Sequence, residues 1–379
     1  MGILRFILAT LVLVSHLGHS LWGLNPGVVA VVVFYILAGH VVARLWSGRP
    51  ESGWSDGVRW FYRDRFWRIV PQYLLVLVAA AWVWTTGPAT PFLARQPGLA
   101  DWLANLAIVP LNYYMFTGQA EFTLVPPAWS LAAELQYYLL APLLLSLSRG
   151  TIKAAMILSL CIFLLAQAGV LHTDHWGYRL LPGILFIFLS GALLRQDPAD
   201  RFLWTVWSAF VLYAGYLLFL AEPVPYRLEV TLGLVIGLPL VALLEHPRPI
   251  LPALCARFQR IAGPSSRPVL TQPLPSGDLS SQRHPAEPFG SAPSPAWSAA
   301  PPGPTRRRIN AQLGGASYGV FLWHFPVIWW FGYQPPVLGL TEFIHVFTVS
   351  LLLSVLAHNL LERPIWKHRR QRARNPARS

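Results

Sequence analysis

The stretch Leu4–Leu21, LRFILATLVLVSHLGHSL, is followed after a short link by a second apolar run, Val28–Trp46, VVAVVVFYILAGHVVARLW. Each is close to the roughly 20 residues that cross a bilayer. The first could pass for a signal peptide, with Arg5 as its charge. No small-x-small cleavage site follows it, however, and the next segment is another apolar span. It therefore reads as a retained first transmembrane helix. Further apolar runs lie near Gln72–Trp84, from Trp129 to before Arg149, and near Ala154–Leu171, Leu180–Leu194, Phe202–Leu220, Val230–Leu244, Tyr318–Phe331 and Phe343–Leu361. The expected fold class is all-α: a polytopic transmembrane helix bundle of about ten spans. Between Gln72–Trp84 and Trp129, the segment Trp102–Phe116 is apolar enough to lie in the interface or dip into the membrane.

Composition agrees with this reading. Of the 379 residues, 54% are hydrophobic and only 12% charged, about half the charge of a soluble domain. Trp occurs 17 times, as expected where indoles anchor helix ends at the headgroups. The net charge of +13 first suggests nucleic acid. The basic residues instead cluster in short links between apolar runs, the pattern of cytoplasmic loops. Placing the N-terminus inside puts Arg44–Arg68, Arg149/Lys153, Arg195/Arg201, Arg248–Arg308 and Arg363–Arg378 on the cytoplasmic side. Only Arg95, Arg179 and Arg227 remain opposite, so both termini are expected in the cytoplasm. Cys161 and Cys255 fall in different environments, so no disulfide is expected, and no metal-ligand spacing exists. Ala262–Thr305 is dense in Pro, Ser and Gly and reads as a disordered loop.

Four constellations could carry chemistry. Arg5 and His16 are three helical turns apart and share a face of the first span, roughly 16 Å apart along its axis. An ionisable group inside a span is costly and points to function, against the plainer reading of a histidine satisfied by a neighbouring helix. Arg65 and Arg68, one turn apart, can face one anion; an ordinary topology-setting loop is the alternative. Pro126-Pro127-Ala128-Trp129-Ser130 leads into Glu134, a carboxylate that enters an apolar span and needs a partner from another helix. It could orient a histidine, as the third member of a nucleophile–base–orienter set does. Ser317-Tyr318 precedes His324 inside a later span, and Glu362-Arg363-Pro364 closes the last one. Glu362 is expected to be a structural partner for loop arginines.

In this order and at these membrane positions the motifs resemble the acyltransferase 3 family of membrane O-acyltransferases, across nearly the whole chain outside Ala262–Thr305. The matches are Arg5…His16, Arg65-x-x-Arg68, Trp129-Ser130…Glu134, Ser317-Tyr318…Leu322-x-His324 and Glu362-x-Pro364. One departure is Ala38-Gly39-His40 where the family usually has Ser-Gly-Phe. The resemblance implies acyl transfer, most often of acetyl from acetyl-CoA, to a carbohydrate or a small natural product. It implies an essential His16 and places Arg65 and Arg68 in the acyl-donor site.

The reading that follows makes His16 the general base, with Glu134 orienting it; transient acylation of His16 is the alternative. Arg5, Arg65 and Arg68 would hold the coenzyme A phosphates, and Trp129, Ser130, Tyr318 and His324 would contribute to substrate binding. No permanently bound cofactor is expected; acyl-CoA is a co-substrate. The partners are acyl-CoA, a glycan or lipid-linked carbohydrate acceptor and the lipid bilayer of a bacterial cytoplasmic membrane, with no nucleic acid. The expected organisation is 1–261 for the first eight spans of an acyltransferase domain, 262–305 for the loop, 306–365 for the last two spans and 366–379 for a basic tail. A secondary transporter would also explain buried His and Glu, but paired halves with matching broken helices are not evident.

Overall fold

The computed structural model describes residues 1–222, 224–245, 304–334 and 339–364. Among them every regular element is helical, and the only β-type pairing is an isolated bridge between Leu21 and Leu24. The helices are α1 (Gly2–His16), α2 (Pro26–Ser47), α3 (Trp54–Trp84), α4 (Leu99–Ala107), α5 (Tyr114–Thr117), α6 (Ala128–Leu144), α7 (Arg149–Gln167), α8 (Leu181–Gln196), α9 (Arg201–Phe219), α10 (Arg227–Glu245), α11 (Pro304–Trp330) and α12 (Leu340–Ala357). Among the described residues, 7 segments are long and apolar enough to cross a membrane: α2, α3, α7, α8 with the turn before it, α9, α10, and α12 with its extension to Glu362. The chain is a multi-pass membrane protein. α1 is equally apolar but only 15 residues long. Most of the expected disordered loop and the whole basic tail lie outside the described residues, as does Cys255.

One expectation is corrected. The basic stretch before Gln72 is not a loop; α3 already begins at Trp54 and runs through Pro71. Proline removes a helix N–H and crowds the preceding turn, yet the helix continues through it. Tertiary contacts hold the amphipathic half in place. Tyr62 Oη donates to the Leu139 carbonyl at 2.8 Å, and Phe61 meets Tyr138 edge-on at 6.3 Å.

α2 starts where Asn25 Oδ1 accepts from the N–H groups of Gly27 and Val28, at 2.9 and 3.2 Å, with Pro26 at the first helical position. It is central, and α8, α10 and α1 pack on it. α2 and α8 cross closely because both carry glycine at the crossing: a Cβ on Gly39 would strike the Phe188 carbonyl, and one on Gly191 the Ile36 carbonyl. Small residues allow this approach where no hydrophobic effect drives helices together. The Gly39 of the departing Ala38-Gly39-His40 triplet thus has a packing reason.

α1 and α11 run parallel and in register. At one end, Ile3 N donates to Asn310 Oδ1 at 3.1 Å and a Cβ on Gly2 would fall on the Asn310 backbone. The same number of residues further along each helix, His16 meets His324. Between α3 and α6 the chain makes α4, a 3-10 turn (Val109–Tyr113) and α5. This is the segment expected to lie in or near the interface. Arg95 clamps its start, its guanidinium donating to both Asp101 carboxylate oxygens at 2.9 and 2.7 Å.

Candidate active site

Two cavities lie within the bundle and meet at a shared wall. The first, about 110 Å³, is lined by Arg5 from α1, Arg65 and Arg68 from α3, Glu134 and Tyr138 from α6, and Tyr318 from α11. The second, about 210 Å³, is lined by His16, Asn25, Trp129 and Arg179 among others. Val31, Ser130 and Phe321 line both. Arg5 and His16 therefore sit on one face of α1, as their spacing requires, but in different cavities.

In the first cavity the arginines are held from behind. Arg65 Nη2 meets Asp64 Oδ2 at 2.6 Å, and its guanidinium lies 5.6 Å from the Tyr138 ring. Arg68 Nη1 meets Glu362 Oε2 at 3.2 Å, Nη2 donates to the Gly314 carbonyl at 3.3 Å, and Tyr318 lies under the group at 5.8 Å. Glu362 is fully buried and also bonds His358 Nδ1 at 2.9 Å. It is thus the anchor expected from the sequence, with Arg68 as its partner. The Arg5 side chain makes no hydrogen bond or salt bridge among the described residues. Neither Asp64 nor Glu362 lines the cavity, so three guanidinium groups face it with one carboxylate, Glu134.

The second cavity is lined by one histidine of a pair. His16 Nδ1 lies 2.8 Å from His324 Nε2, with the rings nearly parallel at 13°. His324 Nδ1 lies 3.1 Å from the Val320 carbonyl, four residues back along α11. A carbonyl oxygen only accepts, so His324 carries its proton on Nδ1 and its Nε2 is an acceptor. His16 then donates through Nδ1, and its Nε2 keeps a free lone pair. His324 is fully buried and lines neither cavity.

The model of an acyltransferase domain family, acyltransferase 3, matches residues 1–255. The chain belongs to this family. A similar uncharacterized protein of Aquifex aeolicus is 39% identical over 127 residues, 31% of this chain and 56% of that protein. A peptidoglycan O-acetyltransferase of Listeria monocytogenes, OatA, is 23% identical over 410 residues, 96% of this chain and 55% of its own length. An acyltransferase of Streptomyces mycarofaciens, MdmB, is 35% identical over 121 residues, 31% of this chain and 28% of its own length. The chain thus spans little more than half the length of the first two relatives and about a quarter of the third. No solved structure shows a significant match.

Of the residues singled out in this acyltransferase chain, Arg5, Arg65, Arg68, Glu134 and Tyr318 come together in the first cavity, His16 and Trp129 in the second, and Ser130 in both. Glu134 is not beside His16. Its carboxylate takes the Tyr138 hydroxyl, one turn along the same helix, and the polar ring that meets His16 is His324, with Phe325 also against it. Among the described residues no cluster of three His, Cys, Asp or Glu could hold a metal.

Sequence reading missed Arg179. Its Nε donates to Asp174 Oδ1 at 2.7 Å, and its guanidinium lies 4.2 Å over the Trp129 ring, with Tyr178 and Tyr226 at 5.3 and 5.8 Å. Asn112 Nδ2 donates to the carbonyls of both Trp129 and Arg179, at 3.1 and 3.2 Å, and Gln136 Nε2 donates to Asn112 Oδ1 at 3.0 Å. The signal was faint: one of three leftover arginines, and buried amides in an apolar context.

Proposed function

We propose that the chain is an integral membrane O-acyltransferase that moves an acyl group, acetyl by preference, from acyl-CoA to a hydroxyl of a cell-surface or lipid-linked glycan. The observation that carries this reading is the pair of cavities: one lined by three arginines, the other by a histidine with its Nε2 lone pair free, meeting at Val31, Ser130 and Phe321. The names of the Listeria and Streptomyces relatives support the same chemistry.

Arg5, Arg65 and Arg68 bind the coenzyme A phosphates, since guanidinium forks suit phosphate oxygens. The roughly 16 Å of α1 between Arg5 and His16 is comparable to an extended pantetheine arm. The thioester then lies at the shared wall, and the acceptor hydroxyl approaches from the second cavity. His16 Nε2 takes the hydroxyl proton as the oxygen attacks the thioester carbon. The C–S bond breaks, and the coenzyme A thiolate takes the proton back from His16. His324 acts through His16: its Nε2 accepts from His16 Nδ1, which fixes the tautomer and steadies the imidazolium during transfer. A proton-accepting side chain is worth about 10²- to 10⁴-fold.

The distribution of basic links in the sequence supports an orientation with both termini and the arginine cavity at the cytoplasmic face of a bacterial membrane, and about ten spans. The acceptor then enters from the opposite side. In proteoliposomes with acetyl-CoA sealed on one side and a glycan acceptor on the other, transfer should proceed. A requirement for both on the arginine side would sink the through-membrane arrangement. Purified protein that neither binds nor consumes acetyl-CoA would sink the acyl-transfer reading itself.

A further inference from the structure

The second cavity is more than the room in which His16 stands. Its polar groups come in a mixed set. Asn25 Oδ1 is used up by the N–H groups of Gly27 and Val28 and by the Ser15 hydroxyl at 2.6 Å, which leaves its Nδ2 donors without a bond among the described residues. Arg179 spends Nε on Asp174, and its two terminal nitrogens make no hydrogen bond among the described residues. The hydroxyls of Tyr178 and Tyr226 make none either, and the two rings stack 5.5 Å apart at 17° to form an aromatic wall. His16 Nε2 supplies an acceptor. Donors, an acceptor and aromatic faces together are the complement of a ring that is apolar on its faces and hydroxylated around its rim.

Charge narrows the choice further. Arg179 is the one Arg or Lys in this lining, and Asp174 already meets it at 2.7 Å with both groups largely buried. An anionic ligand would have to compete with that carboxylate at close range. An uncharged one uses the fork without disturbing the pair. The clamp of Asn112 on the Trp129 and Arg179 carbonyls fixes the guanidinium before any ligand arrives, which lowers the ordering cost of binding.

We propose that this cavity is the acceptor subsite and that it takes an uncharged pyranose, with ring hydroxyls or amides on the Arg179 fork and Asn25 Nδ2 and the hydroxyl to be acylated toward His16 Nε2. Asp174 sets the selectivity: it screens Arg179 and so turns away acidic sugars. The proposal rests on the acyl-transfer reading only for the direction of that hydroxyl.

The test uses the full chain in nanodiscs, with binding followed by saturation-transfer NMR and two oligosaccharide probes, uncharged chitotetraose and anionic tetragalacturonate. Wild type should bind chitotetraose and discriminate against tetragalacturonate by about tenfold or more. Asp174→Asn frees the guanidinium and should reverse or erase that preference. The double variant Asp174→Asn/Arg179→Gln, which leaves no unpaired buried charge, should lose affinity for both probes while acetyl-CoA binding is kept. Failure of wild type to bind chitotetraose, equal or tighter binding of tetragalacturonate, or a preference unmoved by Asp174→Asn overturns the subsite. Sugar binding with this selectivity in a protein that cannot use acetyl-CoA would uphold the subsite and sink the transfer reading. Transfer that survives in the double variant with acceptor KM unchanged would do the reverse.

Discussion

Arg68 and Arg179 are built alike. Each lies over an aromatic ring, Tyr318 at 5.8 Å and Trp129 at 4.2 Å, and each meets a carboxylate, Glu362 at 3.2 Å and Asp174 at 2.7 Å. Their surroundings differ. Arg68 shares its cavity with Arg65 and with Arg5, which has no salt bridge among the described residues, so positive charge accumulates there. Arg179 shares its cavity with an amide, tyrosines and a histidine. On the proposed reading, the same guanidinium motif makes a phosphate grip in company and a hydroxyl reader when alone. A topology-setting arginine and a binding arginine are told apart by what stands beside them, not by residue type.

The largest effect should come from the second cavity. His16→Ala should lower transfer by about 10²- to 10⁴-fold and leave acetyl-CoA affinity intact, because the phosphates are held elsewhere. A parallel loss of donor binding would mean that the cavities do not divide the work. His324→Gln, whose amide oxygen can still accept from His16 Nδ1, should retain more activity and more of the wild-type pH profile than His324→Ala. Equal loss in both would reduce His324 to packing.

Next in size is the grip itself. Replacing Arg65 and Arg68 with lysine keeps the charge but removes the planar fork. Each loss of a charge-assisted bond, about 1.5–3 kcal/mol, should weaken acetyl-CoA binding roughly 10- to 100-fold, measured by titration calorimetry. Chitotetraose binding should not change; if it weakens equally, the two sites are not separate. A smaller effect is expected from Val31→Phe at the shared wall. Overpacking costs about 1–3 kcal/mol of stability, while each probe should still bind and transfer between them should slow. Unimpaired transfer would mean that the thioester takes another route.

The first helix shows how much the sequence could carry. Helical period alone put Arg5 and His16 on one face, and the structure keeps them there in adjoining cavities. The same period put Tyr138 one turn from Glu134, so their bond was available to a reading of that helix alone. The sequence alone also offers that carboxylate a distant histidine, and only the structure gives it the local hydroxyl. The His16–His324 contact was out of reach, since it depends on how α1 and α11 lie together. The extent of α3 was hidden by the run of arginines, which reads as a loop between spans, while contacts to α6 hold it helical through Pro71. Arg179 was hidden by its role as a leftover in a charge tally. Its partners come from the α4–α5 segment, α6 and the turn before α8, and only their packing joins them.

The smallest expected effect concerns that same connecting segment. Burial would raise the Asp101 carboxyl, but the Arg95 guanidinium and the Gly98 N–H hold it below the usual aspartate range. A carboxyl depressed on folding adds stability above its unfolded pKa and loses it as pH falls through the folded one. Amides near 98–107 should therefore exchange faster below the ordinary aspartate range, with the remaining helices less affected. Because Arg95 is exposed, the effect should be small and salt-sensitive. Uniform loss of protection along the chain would tie Asp101 to global unfolding instead.

The in-register pairing of α1 with α11 turns a missing methyl group into a tuning screw. Gly2 touches the Asn310 backbone at one end of two parallel rods, and the histidine pair sits at the other, roughly 20 Å away along the axis. Rods transmit displacement without losing it, so a side chain grafted at position 2 would tilt the far end, where a hydrogen bond of 2.8 Å tolerates only tenths of an ångström. The alignment of the His16–His324 hydrogen bond is thus set at the opposite end of the helix pair from the histidines themselves.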